Sequence, residues 1–464
     1  MNRFAGWRES MLAKGALLLL LLLLLCLPLG QIQSLIAARG HSQDEATQEL
    51  ARTHVGPQTL AGPVLVVPYV EHWQVMERNA RGEATGPHPR SAQRVHLVFP
   101  QQLDINGSLT PHTRYRGIFT VLFYQLGSTL SGRFAPLEVT QLPRHEKDSR
   151  IEVQPPVLAL SVSDLRGLQG SPRLTLHGQA AAFAQGVPHL PTGSALAGGI
   201  HAPLSDGALA AFRAGHALPF SLELNLMGQQ DLSVLPLGQD TRAHLTSPWP
   251  HPSFGGRFLA TDRSVSGSGF DARWHITALT TQAREQLRTL ALADDGARRS
   301  GLQDVDAFQI TLAQPVNVYS MAERAAKYGA LFIALVLMAV FMVELLKRLS
   351  LHPVQYALTG LSIAVFFLLL LALSEKVGFA WAYGGAAAAS VALLAVYFSA
   401  VLGSVRRGAG VAAYVALLYG ALYGLLASEN NALLLGALLV FGMLAALMLG
   451  TRHVNWWRVG AERA

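Results

Sequence analysis

Long uncharged apolar runs near both ends of the chain predict helices that cross a membrane. No charged residue occurs from Gly15 to Ala38, and positions 17–25 are all leucine. About 20 apolar residues are enough to span the hydrocarbon of a bilayer. The sequence therefore predicts six transmembrane helices, at residues 15–36, 328–346, 353–374, 379–402, 409–428 and 431–450. For the first run, a cleaved signal peptide is the alternative, but the apolar stretch is long and residues 36–38 form only a weak cleavage site.

Residues 37–322 have a different pattern, in which short alternating stretches are separated by turn-forming residues. Apolar and polar positions alternate strictly over residues 220–226 (FSLELNL) and 308–312 (FQITL). Residues 64–69 and 117–124 are more continuously apolar, which is typical of buried strands. Asn106-Gly107 and Ser131-Gly132 resemble turns. We expect a β-rich domain, either a β-sandwich or an α+β fold, inserted between the first and second membrane helices.

Three segments of this middle region have the composition of helices rather than strands. Residues 42–52 are expected to continue the first helix beyond its apolar run. Residues 205–214 and 280–292 are rich in Ala or Leu, and each is expected to form a short helix.

The distribution of charge predicts how the chain is oriented in the membrane. Only 14% of the residues are charged and 51% are hydrophobic, with a net charge of +7. Residues 37–322 hold 23 Lys+Arg and 23 Asp+Glu, so the excess (36 − 23 = 13 basic against 29 − 23 = 6 acidic) lies in the remaining segments. Ten basic residues fall on one side of the predicted spans, including the terminal segments 1–14 and 451–464, and three fall on the other. The positive-inside rule then places both termini in the cytoplasm and residues 37–322 on the outer side of the membrane.

The neutral middle domain argues against nucleic acid as a partner, because it has no basic face for phosphates. Cys26 is the single cysteine and lies in the leucine run, which excludes a disulfide within the chain. No nucleophile elbow, zinc-binding helix or phosphate loop is present. We therefore predict no enzyme activity, no catalytic residue, no cofactor and no metal site. The bilayer and an unidentified envelope protein or ligand are the expected partners, and a homo-oligomer is an open alternative.

Two motifs are candidate interaction sites. Residues 247–254 (SPWPHPSF) contain three prolines in five positions, which stiffen the backbone and would present Trp249, His251 and Phe254. This segment is either a recognition loop or a rigid crossover whose aromatic rings fill the core. Gly420 and Gly424 form a G-x-x-x-G pattern, for which close helix packing is the ordinary interpretation. Tyr419 and Tyr423 beside them would line a polar groove in the alternative interpretation.

Several short motifs in this order resemble the CreD family of inner-membrane proteins. The resemblance runs nearly end to end and is carried by residues 56–63 (GPQTLAGP), 114–119 (RYRGIF), 235–238 (LPLG), 247–254 (SPWPHPSF), 269–274 (GFDARW), 315–319 (PVNVY), 351–356 (LHPVQY) and 373–376 (LSEK). It implies a Gram-negative inner-membrane protein linked to cell-envelope integrity, to the CreB/CreC two-component system, to colicin tolerance and to the β-lactam response. The resemblance supplies no catalytic residues.

Three functions follow from these patterns. The first is a non-enzymatic envelope protein whose periplasmic domain binds another envelope component. The second is a transporter or channel for a neutral or amphiphilic molecule. Against it, no Asp, Glu, Lys or Arg lies in the middle of a predicted span, and Glu344 is expected beside Lys347 and Arg348 at the cytoplasmic edge. The third is a periplasmic enzyme that modifies the envelope through a site built from distant residues.

Overall fold

The computed structural model describes residues 11–78, 84–191, 193–293, 301–314, 317–347, 350–428 and 432–452. The predicted terminal segments 1–14 and 451–464 therefore lie mostly outside the described residues. The chain forms two compact units, a helical unit made of Met1–Glu45 with Val316–Ala464 and a β-rich unit made of Ala46–Pro315.

Nine α-helices occur in the described part of the chain. Their bounds are α1 Met11–Thr53, α2 Asp206–Arg213, α3 Ala283–Leu292, α4 Val318–Lys327, α5 Gly329–Lys347, α6 Pro353–Ser374, α7 Phe379–Val401, α8 Val405–Ala427 and α9 Ala432–Thr451. The first of them continues past its apolar run through residues 42–52, as expected. The short helices expected near residues 205–214 and 280–292 are also present, as α2 and α3.

Four of the described helices are long and apolar enough to cross a membrane, namely α1, α6, α7 and α8. The consecutive helices α4 and α5, bent by 44° at their junction, make a fifth when they count as one span. The sixth predicted span coincides with α9, a helix of 20 residues. The count of six and the periplasmic placement of the middle region stay predictions.

The apolar run of α1 has one buried stripe and otherwise exposed leucines. Its buried positions, at most 9% exposed, recur at intervals of three and four, the period of a helix face. The exposed positions include leucines with at least 60% of their surface accessible. The buried set is Leu25, Leu29, Ile32 and Ile36, and the most exposed set is Leu19, Leu23 and Leu27. An exposed leucine surface of this size suits a lipid environment rather than water.

Seventeen strands form two sheets in the described part of the β-rich unit. The nine-stranded sheet contains β1 Gln58–Arg78, β2 Ala84–Val98, β5 Arg150–Val153, β6 Val157–Val162, β9 Ala184–Gln185, β10 Ile200–Pro203, β12 Asp231–Val234, β14 Pro252–Gly256 and β17 Phe308–Leu312. The eight-stranded sheet contains β3 Gln102–Arg116, β4 Phe119–Phe134, β7 Arg173–Leu176, β8 Gln179–Ala181, β11 Leu218–Gln229, β13 Asp240–Ser247, β15 Asp262–Ser266 and β16 Gly269–Thr277.

The two sheets share one apolar core, as the layers of a β-sandwich do. Leu65 of the nine-stranded sheet belongs to the same buried cluster as Ile105 and Leu222 of the eight-stranded sheet. Helix α3 covers the opposite face of the nine-stranded sheet, where Leu287 and Val66 belong to a second buried cluster. The expectation of a large β-rich region is confirmed.

Strict alternation correctly predicted strands in two places. Residues 220–226 lie in β11, where buried and exposed positions alternate, and residues 308–312 are β17, with the same kind of alternation. The segment 64–69 lies in β1. The segment expected at 117–124 begins later, at Phe119, because Gly117 has a φ of +58° and belongs to the turn between β3 and β4.

The two expected turns at Asn106-Gly107 and Ser131-Gly132 are wrong, because both pairs lie inside long strands. Gly107 is in β3 and Gly132 is in β4, and these two strands pair with each other along their whole length. A Cβ at Gly132 would stand 1.9 Å from the carbonyl oxygen of Gln102, and one at Gly107 would stand 3.0 Å from Leu245. Close packing between strands, and not a turn, accounts for these glycines.

Candidate functional site

The proline-rich segment at residues 247–254 ends in an edge strand of the nine-stranded sheet. Strand β14 begins at Pro252 and pairs with β17, its only partner among the described strands. Proline lacks the N–H that a central strand must donate, so within sheets it is found at edges. The edge position of β14 therefore explains why this strand can begin with a proline.

The aromatic residues of this segment have two different environments. The indole Nε1–H of Trp249 donates to the carbonyl oxygen of Ala313 at 3.0 Å. The ring of Phe254 makes edge contacts with Phe270 and Trp274, at centroid distances of 5.6 Å and 5.9 Å. Both rings pack against the shared core. They have the position that the rigid-crossover interpretation requires.

The histidine between these two rings is placed differently. His251 is exposed, and its ring meets that of Trp249 edge-on at a centroid distance of 6.2 Å. Of the three residues that the sequence analysis selected in this segment, His251 is therefore the most accessible to a binding partner, and Trp249 and Phe254 are partly buried.

The outer edge of β14 carries backbone groups that no described strand pairs with. On the inner edge, the N–H of Ala313 donates to the carbonyl of His251, and the N–H of Arg257 donates to the carbonyl of Ala307. Because hydrogen-bonding direction alternates along an antiparallel strand, residues 252, 254 and 256 direct their backbone groups away from β17. Such an edge can accept an extended segment of another chain as an additional strand. We call Pro252–Gly256 the open edge.

The solvent-exposed face of the eight-stranded sheet carries two pairs of a histidine and an aspartate. His244 Nε2 lies 2.8 Å from Asp271, and His275 Nε2 lies 2.6 Å from Asp240. The sequence analysis did not identify either pair, because the partners lie on adjacent strands and are 27 and 35 positions apart in the sequence. The signal was alternation at every second residue, at positions 240, 242 and 244 and again at 271, 273 and 275. Among the described residues, no group of three or more His, Cys, Asp or Glu has the geometry to hold a metal ion.

Glu71 is a buried carboxylate that fixes a loop to the nine-stranded sheet. It accepts hydrogen bonds from the Ser149 hydroxyl at 2.7 Å and from the backbone N–H of His145 at 2.6 Å. Arg94 Nε lies 2.9 Å from its other oxygen. Burial alone would raise the pKa of Glu71, but these hydrogen bonds and the Arg94 charge outweigh it and leave the pKa below its usual value. One oxygen is held by hydrogen bonds and the other lies against the Arg94 charge, which gives this group a structural role.

In the helical unit, the buried residue Glu344 contacts the first helix. Lys14 Nζ lies 2.6 Å from Glu344 Oε1, and the Tyr356 hydroxyl donates to Oε2. The sequence analysis placed Glu344 beside Lys347 and Arg348. It did not predict the contact with Lys14, which is 330 positions away in the sequence. A charged group inside a membrane helix is costly unless it is paired, and the ion pair and hydrogen bond satisfy that requirement.

A similar arrangement occurs at the other end of the apolar run of α1. Arg39 Nε lies 3.6 Å from Glu375, which also accepts a hydrogen bond from the Tyr319 hydroxyl at 3.3 Å. Lys14 and Arg39 are 25 positions apart (39 − 14), which corresponds to about 37 Å along a helix. The hydrocarbon core is about 30 Å thick. The two ion pairs, here called the Lys14 clamp and the Arg39 clamp, therefore bracket a length that suits one crossing.

Close helix packing occurs at glycines other than the two that the sequence analysis selected. A Cβ at Gly360 of α6 would stand 2.2 Å from Leu25, and one at Gly329 of α5 would stand 2.7 Å from Leu29. Because glycine has no side chain, α1 can pack closely against both helices at these positions. At Gly420 and Gly424, no described atom lies within 4 Å of such a Cβ. Their role in packing stays a prediction.

The tyrosine beside Gly420 is satisfied within the helical unit. The Tyr419 hydroxyl lies 2.9 Å from Ser390 Oγ, and its carbonyl accepts a hydrogen bond from the Tyr383 hydroxyl at 2.6 Å. Tyr423 is 39% exposed, with its ring centroid 5.2 Å from that of Tyr383. Tyr419 thus links α7 to α8 as part of a buried polar contact.

Comparison with known proteins adds a family. The family model described as "Inner membrane protein CreD" matches residues 10–457. A relative from Escherichia coli (strain K12), named "Inner membrane protein CreD", is 33% identical over 452 residues, which cover 97% of this chain and 93% of the relative. Neither name is that of an enzyme.

Proposed function

The chain belongs to the CreD family of inner membrane proteins, and on this premise we propose that it is a non-enzymatic protein that contributes to cell-envelope integrity. Its β-rich unit binds another envelope component in the periplasm, and its helical unit holds that domain at the membrane. The basic residues on one side of the predicted spans support this orientation. The family resemblance further supports a link to the CreB/CreC response, to colicin tolerance and to the β-lactam response.

The observation that carries the binding proposal is the open edge at Pro252–Gly256. The edge is rigid, because Trp249 and Phe254 are packed on the core and the prolines restrict the backbone. A preorganised edge loses little conformational entropy when it binds an extended segment. We propose that the partner is an envelope protein that adds such a segment beside β14.

Transport is less well supported by the helical unit. The described carboxylates of residues 317–428 are Glu323, Glu344 and Glu375, and each has an ion-pair partner. An ion-coupled transporter ordinarily keeps ionisable groups available near the middle of the bilayer. The contacts favour helices that hold one another together.

A complementation experiment tests the proposal. A strain lacking the protein receives the full chain, the β-rich unit on a foreign membrane anchor, or the full chain with His251→Glu and Ser253→Glu. Both changes are on exposed residues of the open edge and its approach. We expect the first two to restore resistance to envelope stress and the charged edge variant to lose it, because charge on an edge strand opposes pairing.

The control for the substitution at Ser253 is Ser264→Glu, the same Ser-to-Glu change on the exposed edge strand β15 of the other sheet. It should behave like the wild type. If the edge variant restores resistance as well as this control does, the open edge is not the binding site. If the anchored β-rich unit is correctly produced but restores nothing, the helical unit carries the function and transport becomes the better hypothesis.

A further inference from the structure

An apolar groove lies in the helical unit between three helices, separate from both clamps. Its volume is about 620 Å³, and it is lined by α5, α8 and α9. The lining is almost entirely aliphatic, with Val340 and Val343 from α5 and Leu444 from α9 as examples. A groove of this size and composition suits hydrocarbon chains.

One end of the groove differs from the rest because it carries a positive charge. Arg407, in the first turn of α8, is an exposed residue of the lining. Within the described residues it has no ion-pair partner. The positive end of the helix dipole is at the same place, and Ser404 does not cap it with its side chain. This end is therefore suited to an anionic group.

Farther along α8, a polar side chain of the lining makes a hydrogen bond within the protein. The Tyr414 hydroxyl donates to the carbonyl oxygen of Leu335 at 3.4 Å. Arg407 and Tyr414 are seven positions apart (414 − 407) on α8, which corresponds to about 10 Å along the helix. The groove thus extends from a cationic end to an apolar interior over part of one membrane leaflet.

We propose that this groove binds one anionic phospholipid, with its phosphate at Arg407 and an acyl chain between α5 and α9. The argument rests on charge complementarity combined with an apolar lining between helices of the membrane unit. Basic pockets between membrane helices recognise anionic lipid headgroups in this way. The site is independent of the open edge, and its existence does not depend on the proposed envelope function.

Two substitutions separate the headgroup contact from the acyl contact. Arg407→Gln removes the charge, and Gly410→Leu fills the groove, since a Cβ at Gly410 has no described atom within 4 Å. The matched controls are Arg406→Gln, an exposed neighbour outside the lining, and Gly384→Leu on α7, which also has open space around it. Circular dichroism establishes that each variant keeps its helices.

The experiment is native mass spectrometry of the full chain in detergent, titrated with dioleoyl phosphatidylglycerol or dioleoyl phosphatidylethanolamine. We expect one phosphatidylglycerol per chain, bound more tightly than phosphatidylethanolamine. Arg407→Gln should weaken phosphatidylglycerol binding at least about tenfold, as expected for the loss of a charged hydrogen bond. Gly410→Leu should abolish binding of both lipids, and the two controls should bind as the wild type does.

Three results would overturn the proposal. The first is equal affinity for the two lipids with no effect of Arg407→Gln, which means non-selective coating. The second is unchanged binding in a folded Gly410→Leu variant, which places the lipid elsewhere. The third is a second copy of the chain in place of a lipid, lost in Gly410→Leu, which makes the groove an interface between copies.

Discussion

Lys14 and Glu344 illustrate how single residues hold the helical unit together. The Glu344 side chain is 5% exposed and that of Lys14 is 26% exposed, so water screens this pair little. Removal of one partner from a buried pair leaves an uncompensated charge, which ordinarily costs more than the pair itself contributes. A substitution of one partner alone should therefore destabilise the helical unit more than substitution of both partners together.

We expect Lys14→Met to lower the stability of the detergent-solubilised protein by about 3 kcal/mol. The double variant Lys14→Met/Glu344→Gln should recover most of the loss, because it removes the unpaired charge and keeps an acceptor for Tyr356. Thermal unfolding of the full chain measures both. Lys327→Met is the control, since its ion pair with Glu323 is exposed and should contribute within about 0.5 kcal/mol. Equal losses for Lys14→Met and Lys327→Met would contradict this role of the Lys14 clamp.

Glu71 gives the β-rich unit a dependence on pH. Because the pKa of Glu71 is lowered in the folded state, its contribution is present above the unfolded pKa of a glutamate, about 4.3. The contribution is lost as the pH falls through the lower folded value. Glu71→Gln should cost about 2 kcal/mol near neutral pH and should flatten the fall of stability below pH ~4.3.

Urea unfolding of the full chain, followed by tryptophan fluorescence at several pH values, measures this effect. Glu223→Gln is a suitable control, because Glu223 is exposed and its side chain lies 3.6 Å from that of Arg173. Parallel pH profiles for the wild type and Glu71→Gln would show that Glu71 is not the group responsible.

At the scale of elements, the hairpin of β15 and β16 depends on one glycine. Gly269 has a φ of +133°, and a Cβ there would stand 2.0 Å from the carbonyl oxygen of Ser247. We expect Gly269→Ala to destabilise the β-rich unit by about 3 kcal/mol, because the backbone conformation is strained and the obstructing atom is main chain. Gly267→Ala, two residues away in open space, should change stability by less than about 0.5 kcal/mol.

Urea unfolding monitored by tryptophan fluorescence tests this expectation, because Trp274 is buried in β16 and contributes to the signal. If the two alanine variants unfold at the same urea concentration, the close approach of β13 and β16 at Gly269 is not required for the fold.

Helices and strands could be predicted from the sequence where the residue pattern has only one structural explanation. Strict alternation located β11 and β17, and the segments rich in Ala or Leu located α2 and α3. Asn106-Gly107 and Ser131-Gly132 were misassigned because a glycine in a turn and a glycine against a neighbouring strand look the same in sequence. The contact that distinguishes them, such as Gly132 with Gln102, joins residues of different strands and depends on register.

The site was less predictable than the fold for the same reason. The proline-rich segment was recognisable, but its position at a sheet edge depends on pairing with β17. The Lys14 and Arg39 clamps join α1 to residues more than 300 positions later, and no local pattern indicates such partners. Gly329 and Gly360, against which α1 packs closely, lie outside any G-x-x-x-G pattern, whereas a Cβ at Gly420 would have no described atom within 4 Å.

At the scale of the whole molecule, the central claim is that the β-rich unit lies on the periplasmic side of the inner membrane. Cys26 is the single cysteine, so Cys26→Ser provides a background for site-directed labelling. Leu279→Cys places a thiol in the β-rich unit at a position that is 97% exposed. Arg406→Cys places one at the start of α8, on the side predicted to be cytoplasmic.

The most direct measurement is labelling of spheroplasts with a maleimide that does not cross membranes. The claim predicts that the thiol at position 279 reacts in intact spheroplasts and that the thiol at position 406 reacts only after lysis. Labelling at 406 in intact spheroplasts, with protection of 279 until lysis, would contradict both the orientation and the proposed envelope function.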